Sequence, residues 1–401
     1  MTDAGAKRVA YFVHDLQDAA VARRIGMFHH AGHDVQVTGF YRRDTAPTQV
    51  QGAPAHNLGR TRDGGFKARV VRILANMVFA GVLDRGAAGA DVLVARNLET
   101  LVLAVRVRRQ GQRLVYECLD IHRLMLGQGM VGRAMRGIER WAMRRLDLLV
   151  VSSPSFLDAY FRGISGYGGQ ALLVENKVPA YARDAVAAPQ MDDMAPGQAP
   201  LGTPGEPWVI GWFGMLRCRK TLAMLAHIAA SSGGCIRVII AGKPSPAEFP
   251  DFAAQVAAMP GVSYEGPYAA SDLPRLYGRL HFVWSIDYFE EGMNSRWLLP
   301  NRLYEGIAHG AVPIALSDVA TGQWLARRGI GLRLRSPVEE LSALLAAMSF
   351  AEYRQLRAKV AAVQSRDVLL LPDEHAECVA QILGTQPVVP AHQPYFGEAA
   401  A

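Results

Sequence analysis

Short apolar runs alternate with segments of helical spacing along the 401-residue chain, and the alternation occurs twice. In the first half, Arg8–Val13 (RVAYFV) reads as a strand. The segment after it, through Arg23, Arg24, Ile25, Met27 and Phe28, has helical spacing and ends near Gly32. Asp34–Gly39, Asp91–Ala95, Arg113–Glu117, Asp147–Ser152 and Ala171–Glu175 read as further strands. Strands separated by helices are joined by crossovers, which predicts parallel βαβ units in an α/β, doubly wound sheet. Within residues 183–207 the pattern stops in a stretch rich in Ala, Pro and Gly without apolar periodicity. It resumes at Trp208–Gly214 and continues through Ile236–Gly242, Val262–Gly266, His281–Ile286 and Ala311–Leu316. The expected organisation is an N-terminal domain over 1–180, a linker over 181–207 and a C-terminal domain over 208–384. The last helix is expected to return to the N-terminal domain, and 385–401 to form a frayed tail.

Composition narrows the class. Half the residues are hydrophobic and 20% are charged, a globular balance that excludes a mostly disordered chain. Four scattered cysteines, without a Cys-x-x-Cys pair, argue against a disulfide scaffold or a zinc ribbon and fit a reducing cytoplasm. The polar start, Met1 to Arg8, does not resemble a signal peptide, and no apolar run approaches the roughly 20 residues that span a bilayer. Charge is unevenly placed. Residues 1–180 carry 25 Lys and Arg against 15 Asp and Glu, a net +10, whereas the remainder carries 18 against 21, a net −3. A basic first half points to an anionic lipid surface, to nucleic acid, or to a solvated face without a partner. The absence of a recognition motif, and of aromatics interleaved with the arginines, speaks against nucleic acid.

Ligands of doubly wound sheets sit at the carboxyl ends of the strands, so with two domains the cleft between them is the expected site. Leu299–Leu316 (LPNRLYEGIAHGAVPIAL) combines the helix-start residues Pro300 and Asn301, about two helical turns over Arg302–His309, a stop at Gly310 and a buried strand. The N-terminus of such a helix offers N–H groups and a positive dipole end to a diphosphate. Glu305, about one turn inside, can accept two hydrogen bonds from ribose hydroxyls, or can simply lie on a packing helix. In Gly211–Lys220 (GWFGMLRCRK) a strand ends at Phe213, Gly214 permits a tight turn, and Arg217, Arg219 and Lys220 follow. These cations can neutralise a leaving diphosphate.

Several ordered stretches carry a resemblance. AYFVHDL…VARRI…AGHDVQVTGF opens the chain, and LLVENKVP resembles a hand-over between domains. GWFGMLRCRK resembles a Gly-x-Leu-x-x-x-Lys phosphate loop. GVSYEGPYAASDLPRLY and PNRLYEGIAHGAVPIA are similar to the strand–loop–helix and the nucleotide-binding helix of a donor domain. Over roughly residues 8–335 the chain resembles GT-B-fold glycosyltransferases, and more narrowly the succinoglycan-type exopolysaccharide transferases. The resemblance implies two Rossmann-like domains facing across a cleft. It implies a nucleotide-sugar donor bound by Gly214, Arg217, Lys220, Asn301, Arg302 and Glu305, with Glu305 on the ribose and Lys220 and Arg217 on the diphosphate. The family's second glutamate, eight residues before the first, is replaced by Trp297. The nearest acids are Glu290 and Glu291 in IDYFEEGMNS, candidates for the sugar-contacting role, Glu291 among the catalytic residues. Met215 stands where the phosphate loop often has arginine.

On the acceptor side, Asp120 and His122 follow the strand Arg113–Glu117. Asp120 suits a general base for an inverting transfer. His122 resembles the family's residue near the donor sugar in a retaining one. The two could equally cap the next helix. His14 and Asp15, and Arg96 and Asn97, end two other strands and are acceptor candidates, although the latter pair also reads as a helix start. Glu117 could be a buried, satisfied carboxylate. Arg133–Leu146 places Arg133, Arg136, Arg140 and Arg144 along one face, and Phe66–Leu83 is basic at its start and apolar afterwards. Such helices can lie on an anionic membrane or pack their apolar faces inward.

The expectation is a metal-independent hexosyltransferase without cofactor, using a nucleotide sugar, UDP-linked, and a lipid-linked saccharide acceptor. It would sit in the cytoplasm at the inner face of the cell membrane. Alternatives are a sugar-nucleotide epimerase or a phosphorylase of the same architecture, and a non-catalytic basic protein that binds membranes.

Overall fold

The computed structural model describes residues 5–61, 66–180 and 206–389. The expected linker thus lies almost wholly outside the described residues, as does the end of the expected tail. Two compact units emerge: the chain up to Glu175 together with the chain from Asp373 onward, and Asn176–Pro372.

The first unit is built on an eight-stranded sheet. Its strands are β1 (Arg8–Val13), β2 (Asp34–Tyr41), β3 (Gln49–Val50), β4 (Ala53–Arg60), β5 (Val92–Arg96), β6 (Arg113–Cys118), β7 (Leu148–Val151) and β8 (Ala171–Leu173), in the order β3-β4-β2-β1-β5-β6-β7-β8. All pairs run parallel except β3 with β4. The central strands are near-continuous apolar runs because helices cover both faces. In β1 every residue from Val9 to Val13 is buried.

Helix α1 (Ala19–His30) starts where the Asp18 side chain accepts the Ala20 N–H and lays Val21, Ile25 and Phe28 into the core. The strand β4, with the sequence APAHNLGR, carries no apolar alternation and was not expected. Pairing with β2 on one side and β3 on the other holds it. The expected single helix Phe66–Leu83 is two, α2 (Phe66–Val78) and α3 (Gly81–Ala87). The helix Pro372–Leu383 docks on this unit: the His375 ring bonds the Met27 carbonyl at 2.9 Å, and Arg113 donates to the Ile382 carbonyl at 3.0 Å.

The carboxylates of Glu117 and Glu139 lie deep inside the first unit. Glu117, on β6, accepts from Arg24 at 2.6 Å and from the Tyr11 hydroxyl. Burial opposes its ionisation, but Arg24 and Arg96 hold it below the usual range. Glu139, on α6 (Met130–Met143), has only hydroxyl partners among its hydrogen bonds: Tyr160 at 2.7 Å, Ser165 at 3.0 Å and Tyr116 at 3.2 Å. Burial outweighs these bonds and raises its pKa.

The second unit contains the parallel six-stranded sheet β12-β11-β10-β13-β14-β15. A short pair, β9 (Val178–Pro179) with β16 (Leu369–Leu370), joins its two chain ends. The sheet strands are β10 (Trp208–Leu216), β11 (Ile236–Pro244), β12 (Val262–Tyr264), β13 (Phe282–Trp284), β14 (Val312–Leu316) and β15 (Leu332–Leu334). One core cluster gathers Phe213, Leu276, Tyr277, Leu280 and Val283. The strand order reverses between β10 and β13, as it does between β1 and β5 in the first sheet, and loops diverging at such a point leave a crevice.

The folded state binds the Glu139 proton more tightly than the unfolded chain, whose reference value is 4.5. The stability that Glu139 contributes is therefore present below that pH and is lost as pH rises towards its higher folded value. Glu139→Gln should flatten this part of the profile and gain on the parent chain as pH increases. Urea unfolding between pH 4.5 and 7.5 checks this, and parallel profiles would refute it.

Candidate active site

In the second unit the crevice lies between the loops that follow β10 and β13. Near the end of β10, Gly214 has φ +120° and faces Gly242 of β11, at φ +136°. A Cβ at Gly242 would collide with the Gly214 carbonyl, so two backbones approach here as only glycine allows. The Tyr264 hydroxyl, donating to the Gly242 carbonyl at 2.8 Å, fixes this corner. Three cations follow. Arg217 lies 4.4 Å from the ring centre of Phe289. Arg219 pairs with Glu248 at 3.3 Å. Lys220 reaches both oxygens of Glu291, at 2.7 and 2.8 Å, and stands 4.3 Å over the Tyr288 ring. Cys218 opens the helix Arg219–Ser231 by accepting the Thr221 N–H.

The helix Asn301–Ala308 begins after Pro300, without a side-chain cap among its described bonds. Its N-terminal N–H groups and dipole suit an anion, as the sequence predicts. Arg302 donates to the Ile286 carbonyl at 2.8 Å and lies 4.0 Å from Asp287. Glu305 is buried and accepts from the Tyr277 hydroxyl at 3.1 Å. Burial, and then the charge of Glu305, push the Tyr277 hydroxyl well above its usual range, so it remains a donor. The Tyr277 ring stacks on His309 and packs edge-on against Phe213, ring centres 5.0 Å apart.

The strand expected to end at Phe213 runs on to Leu216, because Gly214, Met215 and Leu216 stay paired with β11, so Gly214 lies inside β10 and not in a turn; Glu305 sits one turn into the helix. Tyr277 touches both Phe213 and Glu305. The loop Ile286–Glu291 closes the other side, gripped by Arg217 and Lys220 at one end and by Arg302 at the other. The segments 214–220 and 300–305 thus each hold the loop Ile286–Glu291, the first at its end and the second at its start. Sequence reading missed Tyr277, Tyr288 and Phe289, whose partners lie 28, 68 and 72 positions away; the aromatic pair beside Glu290 and Glu291 was the available signal. Trp297 ends a 3-10 turn, Asn294–Arg296, and brings no carboxylate.

In the first unit, His14, Asp15, Arg96, Asn97, Asp120 and His122 follow three adjacent strands, β1, β5 and β6. They play different parts. His14 lies 3.6 Å from Asp18. Asp15 accepts the Gln17 N–H and lies 3.4 Å from Arg42. Burial works against the Asp18 carboxylate, but Arg96, His14, the Ala20 N–H and Arg42 hold it below its usual range. Arg96 points inward instead of towards a sugar: it is buried, bonds the Tyr11 hydroxyl at 3.0 Å and sits 3.8 Å from Glu117. Asn97 has φ +72° and ψ 163°, a conformation that glycine adopts far more readily. Asp120 and His122 are both exposed, and His122 opens the short helix α5 (Arg123–Leu126) by accepting the Leu124 N–H at 3.3 Å.

The arginine face needs a correction. Arg133, Arg140 and Arg144 are exposed, but Arg136 is buried and donates to the carbonyls of Met125 and Gly127. On the same helix Ile138 and Trp141 are exposed, as are Met130 and Val131.

A family model for the glycosyl transferase 4-like domain matches residues 19–176. The succinoglycan biosynthesis protein ExoL of Rhizobium meliloti (strain 1021) is 41% identical over 343 residues, 84% of each chain. The chain belongs to the ExoL family of glycosyltransferases. Solved structures share its fold. The Anabaena Alr3699/HepE structure in complex with UDP and glucose aligns with a TM-score of 0.66 and 14% identity, covering 95% of this chain and 100% of that one. The sucrose-phosphate synthase of Thermosynechococcus elongatus aligns with a TM-score of 0.64 and 14% identity, covering 94% and 98%. The fold is therefore that of GT-B glycosyltransferases.

Because Glu117 neutralises two buried arginines, Glu117→Gln in this glycosyltransferase should cost about 3–5 kcal/mol of stability. Chemical denaturation measures this, and a loss below about 1 kcal/mol would show that the cluster is not a closed ionic core.

Proposed function

We propose that this glycosyltransferase moves a hexose from a UDP-linked donor to a growing lipid-linked oligosaccharide in exopolysaccharide synthesis. The observation that carries the reading is that Lys220 and Arg302 both hold the loop Ile286–Glu291 at the switch point of the second sheet, while Tyr277 fixes Glu305 in the helix that follows that loop. The name of ExoL supports the polymer class, and the complex of HepE with UDP and glucose supports the donor class.

In this scheme Glu305 accepts hydrogen bonds from the ribose. The N–H groups at Asn301 and Arg302, with Arg217 and Lys220, receive the diphosphate. The bond from the anomeric carbon to the diphosphate oxygen breaks, and UDP leaves with the electron pair. The acceptor oxygen bonds that carbon and loses its proton. Protein cations meet the charge that grows on the leaving group, and the scheme uses no metal. The product's configuration reports the route of the proton. Inversion accompanies transfer to a base on the opposite face, the part suited to Asp120, whereas retention accompanies transfer to the departing diphosphate.

The membrane reading rests on the first unit. Exposed Arg133 and Arg140 share α6 with exposed Met130, Val131, Ile138 and Trp141, exposed Arg144 follows its last residue, and α2 with its following turn exposes Val71, Leu74, Val78 and Phe79. Basic and apolar groups presented together suit an anionic bilayer surface. Among the described residues no helix is long and apolar enough to cross a membrane.

With UDP-glucose and a membrane lipid extract as substrates, Glu305→Ala should abolish transfer while the chain still folds, its unfolding midpoint lowered by the loss of the buried bond to Tyr277. Lys220→Ala should lower kcat by about 10²–10³. Near-normal turnover in either variant would remove the donor seat from these segments. Replacing Arg133, Arg140 and Arg144 together by Gln should release the protein from vesicles containing anionic lipid. Undiminished co-sedimentation would refute the surface role of α6.

A further inference from the structure

The loop after β13 supplies a partner for each of two cations in the donor seat. Lys220 is held by both oxygens of Glu291 and lies over Tyr288, while Arg217 lies over Phe289. The Lys220–Glu291 pair is half exposed on both sides, with side-chain exposures of 49% and 54%, so each group can reach solvent without breaking the core. The backbone around Glu291 is suited to turning. Gly292 follows at φ +77°, and the Met293 N–H closes a turn on the Glu290 carbonyl at 3.0 Å. The base of the loop is anchored separately, by Arg302 on the Ile286 carbonyl and by the Phe289 N–H on Asp287 at 2.8 Å. Glu291 is thus tied to Lys220 near the turning point of a loop whose start is fixed.

We propose that Glu291 is a resident counter-ion of the donor seat: its carboxylate holds Lys220 while no nucleotide is bound, and the donor's diphosphate displaces it. This rests on the reading that Lys220 receives the diphosphate. A carboxylate and a phosphate beside one ammonium repel each other, so a bound diphosphate drives Glu291 away. The reverse step matters equally. After transfer, Glu291 competes with the UDP product for Lys220 and assists its departure. Glu291 is on this account a positioning residue, because it acts through the lysine and not on the reacting atoms. A glutamate that contacts the transferred sugar would behave differently: its loss would weaken UDP-glucose binding and leave UDP binding unchanged.

Calorimetric titration of the full chain with UDP, and separately with UDP-glucose, tests this. The proteins compared are the parent, Glu291→Gln, Lys220→Gln and the double variant. Removing the competing charge should tighten UDP binding by about two- to fivefold, the range expected of an exposed ion pair. Release of UDP in stopped flow should slow correspondingly. The gain should vanish when Lys220 is already Gln, because the cycle isolates the pair. Unchanged or weaker UDP binding in Glu291→Gln would overturn the counter-ion role. So would a gain that persists without Lys220, which would mark a general effect of charge. A parent chain that does not bind UDP, or a Lys220→Gln variant that binds it undiminished, would overturn the donor seat itself and this inference with it. Weakened UDP binding in Lys220→Gln alongside a neutral Glu291→Gln would leave the donor seat standing and overturn only the counter-ion.

Discussion

A parallel strand can be joined to its neighbour only by a crossover that returns to the same end of the sheet. Every pair in the second sheet obeys this, so the segments after β10 and β13 emerge side by side at one edge. The rest of the candidate site follows from that constraint. Gly214 near the end of β10 with the three cations after it, and the acidic loop with the base of the helix Asn301–Ala308 after β13, leave two strands that are neighbours in the sheet. Tyr277 then locks the arrangement from beneath, with its ring against Phe213 and its hydroxyl on Glu305. A site assembled from loops gains a fixed geometry because its floor is a packed aromatic core.

The two sheets were legible because buried parallel strands are written as uninterrupted apolar runs, and those runs stand out from the Ala- and Pro-rich stretch near residue 200. The strand β4 was not, since its Pro54, His56, Asn57 and Gly59 carry no periodic signal; its place is set by β2 and β3 from outside. Glu305 and Lys220 could be singled out because each sits at a recognisable strand or helix end. Their partners could not, because pairing across 71 residues, as between Lys220 and Glu291, leaves no local trace. Arg136 illustrates the same point on a helix. Its spacing groups it with Arg133 and Arg140, but the carbonyls of Met125 and Gly127 draw it inward, and that chain reversal is not written in the helix's own period.

The first unit handles two buried carboxylates by opposite means. Glu117 stays ionised because arginines from α1 and β5 converge on it, and the same cluster withdraws Arg96 from any ligand. Glu139 is surrounded by hydroxyls and is better tolerated with its proton on. Arginine burial therefore consumes charge that composition alone would assign to the surface. The basic character available at the surface is carried by fewer residues than the sequence total implies, Arg133, Arg140 and Arg144 among them.

The contact between Gly214 and Gly242 limits how this enzyme can diversify. Gly242 accepts no side chain without moving a strand, and Gly214 holds a φ of +120° that side chains rarely adopt, so the wall of the crevice nearest the strand ends is bare main chain. Main-chain groups present the same N–H and C=O pattern whatever the sequence around them. Any variation in what the crevice binds would have to come from side chains around that corner. Swapping donor preference by design would start in the loop after β13 and leave the glycine pair untouched.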